Sequence, residues 1–384
     1  MSYDVAIVPC EDYTEESCRR AMQAVLAPLG GLNWVKSGMH IVIKANLVSA
    51  MKPEAAATVH PALLTALAQL LLARGASVTL GDSPGGFYTA AHLNHVYDVC
   101  GLRPLEALGV KLNDDFSQTA VRFPQAVQAR QFTCTGYLLK ADAIIDFCKL
   151  KTHGMMGMTN AVKNFFGVIP GTMKPEYHYQ YPKTEDFADM LVDLCEFCAP
   201  RLCICDAVVG MEGNGPTKGT PRKIGCLAAS LSAHRLDLAA CGIIGLRPEE
   251  VPTLSAAMRR GLIPAQAQAL SIFGNPEDFA QPDFKTVPSQ ASVFFRSGGS
   301  GPIAKLADAA LCRIMTPYPK LHAGSCVGCK KCAGICPAKA IAMKNGRPQI
   351  DRRRCIHCFC CQEFCPVGAM RVGRSAVARL LGKG

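Results

Sequence analysis

Charge is scarce in this sequence. Only 18% of its 384 residues are Asp, Glu, Lys or Arg, against 49% hydrophobic, a balance that excludes a disordered chain and supplies ample material for a large core. No apolar run approaches the ~20 residues of a membrane-spanning helix; the longest, Pro61 to Ala73, falls far short. The N-terminal MSYDVAIVPCEDYTEE carries acids and neither an Arg-rich amphipathic segment nor a long apolar one, so no export signal is expected. Neither GxxxxGK nor GxGxxG occurs, which removes a Walker-type phosphate loop and a dinucleotide fingerprint. Together these absences predict a cytoplasmic globular protein with no transmembrane segment.

Acid is missing from one region in particular. Residues 320–384 hold 13 basic side chains and two acidic ones, Asp351 and Glu363, while residues 1–319 hold 28 of each, so the whole net charge of +11 sits at the C-terminal end. Of the 21 cysteines, eight lie there in two copies of one spacing: Cys326-x2-Cys329-x2-Cys332-x3-Cys336-Pro337 and Cys355-x2-Cys358-x2-Cys361-x3-Cys365-Pro366. Three thiolates spaced this way curl around one corner of a [4Fe-4S] cube, and the fourth, followed by proline, is directed to the other cube. The pattern assigns one cluster to Cys326, Cys329, Cys332 and Cys365 and a second to Cys355, Cys358, Cys361 and Cys336.

Structural zinc uses paired CxxC knuckles and needs neither the third close cysteine nor the distal one. A disulfide framework belongs to secreted chains. The stretch resembles a two-[4Fe-4S] bacterial ferredoxin-type domain. Cys360 is a ninth cysteine that the motif does not need and is expected to pack beneath the loop. The other twelve cysteines are scattered, mostly in apolar segments, and read as reduced buried thiols. With two oxygen-sensitive clusters they point to an anaerobic or microaerobic host. Each oxidised cube with its thiolates carries roughly −2, which offsets only part of the local positive charge. The remaining basic face is expected to steer an acidic electron-transfer protein, a ferredoxin or flavodoxin. Nucleic acid is not the expected partner, because no nucleic-acid-binding fold is recognised beside the charge.

Upstream, strand-like and helix-like segments alternate. Residues 3–9, 40–48, 76–80, 141–151, 201–207 and 223–231 read as strands, and helices are expected near 14–29, 61–74, 89–100, 160–166, 185–197 and 236–244. Residues 100–136 are less regular. Continuous apolar strands between helices predict an α/β domain over residues 1–290, a mainly parallel sheet covered by helices on both faces. A Pro-, Gly- and Ser-rich connection with a bracing helix near 303–315 is expected over 291–316. A small C-terminal α+β ferredoxin-like domain follows over 317–373, then a basic tail over 374–384.

Ligands of parallel sheets bind beyond the carboxyl ends of the strands. Lys44 and Asn46 close the second strand, Asp82 and Ser83 the third, and period-two alternation in FCKLKTH puts Phe147, Lys149, Lys151 and His153 on one face. Asp206 ends a later strand, and the loop beyond carries Glu212 and Asn214. The run KTHGMMGMTNAVK (151–163) combines basic and imidazole groups, two glycines that admit a ligand close to the backbone, and a helix N-terminus. It suits a small anionic or carbonyl-bearing substrate, with His153 or Lys163 able to supply a proton. Cys195, Cys198, Cys203 and Cys205 form a second cysteine group, where a third metal site or redox dithiol competes with core packing; the apolar neighbours Leu191, Leu194, Phe197, Leu202 and Ile204 favour packing.

The segments HIVIKANLV, GDSPGG, KLKTHGMMGMTNAVKNFFGVIPG, DAVVGMEGNGPTKG and ASLSAHRLDLAACGIIG are similar to the family catalogued as domain of unknown function 362, over about residues 3–300. Its motif blocks match at Lys44, Asn46, Asp82, Lys151, His153, Lys163, Asn164, Asp206, Glu212 and Asn214, and its members often carry a C-terminal ferredoxin-type module. The resemblance implies a redox-linked cytoplasmic protein and supplies no reaction. The expectation is an oxidoreductase whose two clusters relay low-potential electrons to a substrate, or to an unidentified second cofactor, in the α/β cleft. Lys151, His153 and Lys163 would place protons or charge there, and Lys44, Asn46, Asp82, Asn164, Asp206, Glu212 and Asn214 would bind. The competing expectation is a non-enzymatic electron carrier, or a maturation factor for a protein or metallocofactor.

Overall fold

The computed structural model describes residues 3–287 and 316–375. The bracing helix expected near 303–315, most of the connection before it and the basic tail beyond 375 lie outside the described residues.

The strands are β1 (Val5–Pro9), β2 (His40–Ala45), β3 (Ser77–Gly81), β4 (Lys111–Leu112), β5 (Gln118–Arg122), β6 (Gln131–Thr135), β7 (Ala143–His153), β8 (Gly157–Thr159), β9 (Leu202–Glu212), β10 (Thr220–Ser230) and β11 (Ile272–Phe273). One nine-stranded sheet runs β11-β1-β10-β9-β7-β2-β3-β4, with β8 paired to the end of β7. The pairs β7–β9, β2–β7, β2–β3, β3–β4 and β1–β11 are parallel, while β10 runs antiparallel between β1 and β9. The mainly parallel sheet is thus present, with two reversed strands, β10 from the β9–β10 hairpin and the short β8 beside the end of β7.

Helices α1 (Glu15–Leu26), α2 (Pro61–Leu72), α3 (Ala90–Val99), α4 (Pro104–Ala107), α5 (Ala161–Asn164), α6 (Lys174–Gln180), α7 (Thr184–Cys198), α8 (Ala233–Ile243) and α9 (Pro252–Arg259) surround it. Side-chain alternation divides the core in two. Ala6, Val8, Ile41, Ile43 and Phe147 pack with α1, α2 and α3 on one face, and Val5, Ile7, Val42, Cys148 and Leu150 pack with α7, α8 and α9 on the other. Thr14 caps α1 by accepting from Ser17 N, and the helix tightens into a 3₁₀ turn over Ala27–Leu29 before Gly30.

Two expectations change. The irregular stretch contains a separate ribbon, β5 with β6, whose first strand is largely exposed and so lacks an apolar alternation to betray it. The strand expected to end at residue 151 runs on, because β7 continues through His153 and pairs back on β8, Lys151 opposite Thr159 and His153 opposite Gly157.

The C-terminal region builds two antiparallel ribbons. β12 (Tyr318–Leu321) pairs β15 (Met370–Gly373), and β13 (Ile341–Lys344) pairs β14 (Arg347–Ile350). The doubled sequence gives doubled geometry. Cys332 lies in the one-turn helix α10 (Lys331–Gly334) and Cys361 in α11 (Cys360–Glu363), each preceded by a left-handed residue, Lys330 or Phe359. Cys336 and Cys365 each accept a backbone N–H at 3.2 Å, from Ala340 and Ala369.

Candidate functional site

Strands β2, β3 and β7 end beside α5, and their polar residues meet at Asn164. Its Oδ1 accepts from Lys44 Nζ and from Asn46 Nδ2 at 3.1 Å each, and its Nδ2 donates to Asp146 Oδ1 at 2.7 Å. Lys44 Nζ also pairs with Asp82 Oδ1 at 2.8 Å, and Lys151 Nζ donates to Asn46 Oδ1 at 2.8 Å and Ala57 O at 2.6 Å. A continuous buried chain results: Asp82, Lys44, Asn164, Asn46, Lys151. Burial draws the Lys151 ammonium down to about 7, against the pull of Asp82. Burial also holds the Asp146 carboxyl well above the usual carboxylate range. Gly167 is required beside this chain, since a Cβ there would fall 2.1 Å from Asp82 Oδ1 and 2.6 Å from Lys44 Nζ.

The chain borders a cavity of about 810 Å³, a size that suits a small molecule. Asn46, Asp82, Lys151, His153, Lys163 and Asn164 line it from the sheet side, and Cys360, Glu363, Phe364 and Cys365 from the ferredoxin-like side. Lys163 is buried, with its Nζ 4.6 Å from the centre of the Phe166 ring and, among the described residues, no hydrogen-bond acceptor; burial lowers its pKa. His153 Nδ1 accepts from Met155 N at 3.1 Å and Met156 N at 3.2 Å, which assigns the ring proton to Nε2. That nitrogen lies 3.0 Å from Glu363 Oε1, an ion-pair distance whose geometry falls short of a hydrogen bond. Burial lowers the His153 pKa and Glu363 opposes the shift.

Three cavity residues escape a reading of strand ends. Lys174 and His178 arrive on α6, which is not adjacent to any strand terminus in sequence. Lys174 donates to Ser83 O, and burial draws it to about 8; His178 stacks on Phe187 and is drawn to about 3 by burial. Glu363 sits between two motif cysteines and reads as filler, although its being one of two acids in a basic stretch was a usable signal.

Other expected site residues lie elsewhere. The β7–β9 register shifts between Lys149 and Lys151, and Lys149 turns to a separate buried group, 2.8 Å from Asp206 Oδ2 and 2.9 Å from Tyr13 Oη. Asp206 therefore does not line the cavity. Glu212 faces Lys285, 3.5 Å away, because β9 has by then run past the cavity toward its hairpin. Asn214 joins the two regions instead, accepting from Gln362 Nε2 at 2.8 Å. The N-terminus of α5 is also taken. Asp237 accepts from Ala161 N at 2.7 Å and Val162 N at 3.2 Å, and burial pushes its carboxyl up to about 7 despite those bonds. Cys195, Cys198, Cys203 and Cys205 are buried in one apolar core; among the described residues Cys195, Glu196 and His234 form a group whose ligand atoms lie within 4.8 Å of one another.

Two smaller cavities lie within the C-terminal region. Cys326, Cys329, Cys332 and Cys365 line one, and Cys336, Cys355, Cys358, Cys361 and the extra Cys360 line the other. Each gathers three sulfurs from one motif copy and one from its repeat, a donor set whose chemistry fits an iron-sulfur cluster. Both small cavities share a wall with the large one: Cys365 and Pro366 border it from the first, Cys360 from the second. Docking is close. Gln362 Nε2 also donates to Gly215 O at 2.9 Å, and Gly85 lies so near Phe364 that a Cβ would come within 2.8 Å of the ring.

With this sheet, strand-end network and cysteine-rich module in view, the chain belongs to the family described as domain of unknown function (DUF362), which it matches over residues 41–242. Residues 318–366 match the 4Fe-4S dicluster domain, so iron-sulfur electron transfer is part of its chemistry. The chain is 32% identical over 294 residues to thylakoid-associated protein sll1697 of Synechocystis sp., covering 74% of this chain and 88% of that protein. Among solved structures, the lactate racemase apoprotein from Thermoanaerobacterium thermosaccharolyticum shares 11% identity with a TM-score of 0.41, over 64% of this chain and 57% of that one. A protein from Thermotoga maritima shares 13% with a TM-score of 0.36, over 56% and 55%. The chain thus spans less than two thirds of either solved neighbour. Among the described residues no helix is long and apolar enough to cross a membrane.

Proposed function

We propose that this protein is an iron-sulfur oxidoreductase that passes low-potential electrons to a small substrate, or to a second cofactor, in the large cavity. The observation that carries this reading is the shared wall at Cys365 and Cys360. Cys326, Cys329, Cys332 and Cys365 would hold one [4Fe-4S] cluster, and Cys355, Cys358, Cys361 and Cys336 the second. When bound, the clusters supply single electrons at a potential on the order of −400 mV.

The chain's own residues do the remaining work. Asn46 and Asn164 fix the floor of the site and orient Lys151. With its pKa near neutrality, Lys151 can exchange a proton at physiological pH. Lys163 offers positive charge where reduction adds negative charge. His153 keeps its Nε2 proton against Glu363, holding the cavity's two sides in register. Electrons would enter through the exposed face, where Cys329, Val327 (66% exposed), Lys330 and Lys331 offer a basic surface to an acidic ferredoxin or flavodoxin in the cytoplasm.

The test mixes dithionite-reduced protein with a host extract split into small-molecule filtrate and desalted protein. Reoxidation by the filtrate, with one compound consumed, is the expected result. Reoxidation by the protein fraction alone, unchanged in Lys151→Met, would make the chain an electron carrier for a protein client instead.

A further inference from the structure

We infer that the large cavity takes an amphipathic anion, with one carboxylate or phosphate head at Lys163 and Lys174 and an aromatic or similarly apolar body reaching past Phe364 toward Phe87. This rests on reading the cavity as the substrate site and deepens that reading by naming the substrate class.

The first argument is charge. Lys44 has Asp82 and Lys149 has Asp206, while Lys151 donates to Asn46 and to Ala57 O. Lys174 has only a neutral carbonyl, Ser83 O, and Lys163 has no acceptor among the described residues, only the faces of Phe166 and Phe187. Of the two carboxylates that line the cavity among the described residues, Asp82 is engaged by Lys44, Leu47 N and Ser83 N, and Glu363 faces His153 at 3.0 Å and acts on Lys163 through space without a hydrogen bond to it. A buried ammonium with no acceptor in contact is unfavourable, and a bound anion supplies one. Both ammoniums line the same cavity and lie 4.6 and 5.6 Å from the centre of one ring, Phe166, so together they mark one end of it for a head group. Among the described residues no arginine lines the cavity, so it offers point charges rather than a planar fork, and these accept carboxylate or phosphate alike.

The second argument is the polarity gradient. At the closed end Lys151, His153 and His178 are almost fully buried. Toward the rim an apolar strip of Val48, Met51, Ile335 and Phe364, all half-buried, leads to Phe87, which is 72% exposed, beside the half-buried His92 and Lys218 and the exposed His95 and Lys331. A bodiless anion would leave that rim wet, and a neutral aromatic would leave Lys163 unpaired. An anion with an apolar body satisfies both ends, and about 810 Å³ accommodates it.

The test is titration calorimetry on the full chain with its iron-sulfur content restored anaerobically. The probes are cinnamate and phenyl phosphate, each compared with its uncharged counterpart, cinnamyl alcohol or phenol, and its bodiless one, acetate or inorganic phosphate. At least one aryl anion should bind tenfold or more tightly than both its counterparts. Lys163→Met, with unchanged iron content and absorption spectrum, should abolish the preference over the uncharged probe and leave that probe's affinity alone; Lys163→Arg should retain part of the preference. Equal binding of anion and alcohol, or a preference that survives Lys163→Met, overturns the inference. Because no electrons move in this titration, the two readings fail separately. An aryl anion held through Lys163 beside clusters that no filtrate compound reoxidises would leave this inference standing and end the oxidoreductase reading.

Discussion

His153, the last residue of β7, and Glu363, two residues beyond Cys361, approach to 3.0 Å, so a strand of the sheet and the cysteine-bearing turn meet in one contact. Since β7 also carries Lys151, any displacement of the turn is felt at the cavity's main titrating group. Gln362, the neighbour of Glu363, reinforces the junction by donating to Asn214 Oδ1 and Gly215 O. Replacing Gln362 with Ala should therefore loosen the docking at a cost of about 1–3 kcal/mol. Hydrogen exchange at residues 152–156 and 213–217 should accelerate, while the core of α2 stays protected. Unchanged exchange at both segments would mean that the junction is held elsewhere.

Cluster content separates ligands from bystanders. Cys365→Ser should lower iron and inorganic sulfide from roughly eight per chain to about four or fewer. Cys360→Ala, which removes a thiol from the shared wall, should leave both at the wild-type level. Loss of iron in Cys360→Ala would reassign that residue as a ligand.

Glycine substitutions probe the buried ion pair. Gly167→Ala drives a Cβ into Asp82 and Lys44 and should destabilise the fold by about 3–5 kcal/mol, the usual consequence of breaking a buried pair. Gly242→Ala, on an exposed turn of α8 with no atom within 4 Å, should stabilise by about 0.5–1 kcal/mol. Urea unfolding of the two variants should give shifts of opposite sign.

Lys151 gives a pH dependence with a defined sign. Its folded pKa of about 7 lies below the ordinary lysine value of about 10.4. Between those values the unfolded chain binds a proton that the folded chain does not, so this group makes stability rise with pH from about 7 to about 10. The slope is at most about 1.4 kcal/mol per pH unit. Lys174 acts in the same direction and remains in Lys151→Met, so the difference between wild-type and variant curves isolates Lys151. A flat difference between pH 7 and 9.5 would show that Lys151 is not desolvated.

How much of this was legible in the sequence depends on how locally each residue is placed. Lys44, Asn46, Asp82 and Lys151 were readable because parallel strands release their polar ends on one side of the sheet, and Asn164 because it follows at once on the next short helix. Asp206 and Glu212 were misplaced by the same rule: Asp206 lies opposite Lys149 before the register shift and pairs with it there, while β9 runs on after the shift and turns back as β10, carrying Glu212 past the cavity. Lys174 and His178 come from a helix whose position only tertiary packing fixes. Glu363 belongs to a motif so dominated by cysteine that its acid reads as spacer. The pairing of the fourth cysteine of each copy with the other copy's three was legible from spacing, because the repeat itself encodes the exchange.

The central claim is that electrons leave the C-terminal module through the cavity that Asn164 borders. The direct measurement is the anaerobic stopped-flow rate at which the filtrate compound reoxidises dithionite-reduced protein, in wild type and in Asn164→Ala with iron content and absorption matched. Loss of Asn164 uncouples Lys44, Asn46 and Asp146 at once, and misplacement of this kind costs on the order of 100-fold in rate. The account predicts a fall of that size with the cluster spectrum unchanged. An equal rate in the two proteins would contradict it.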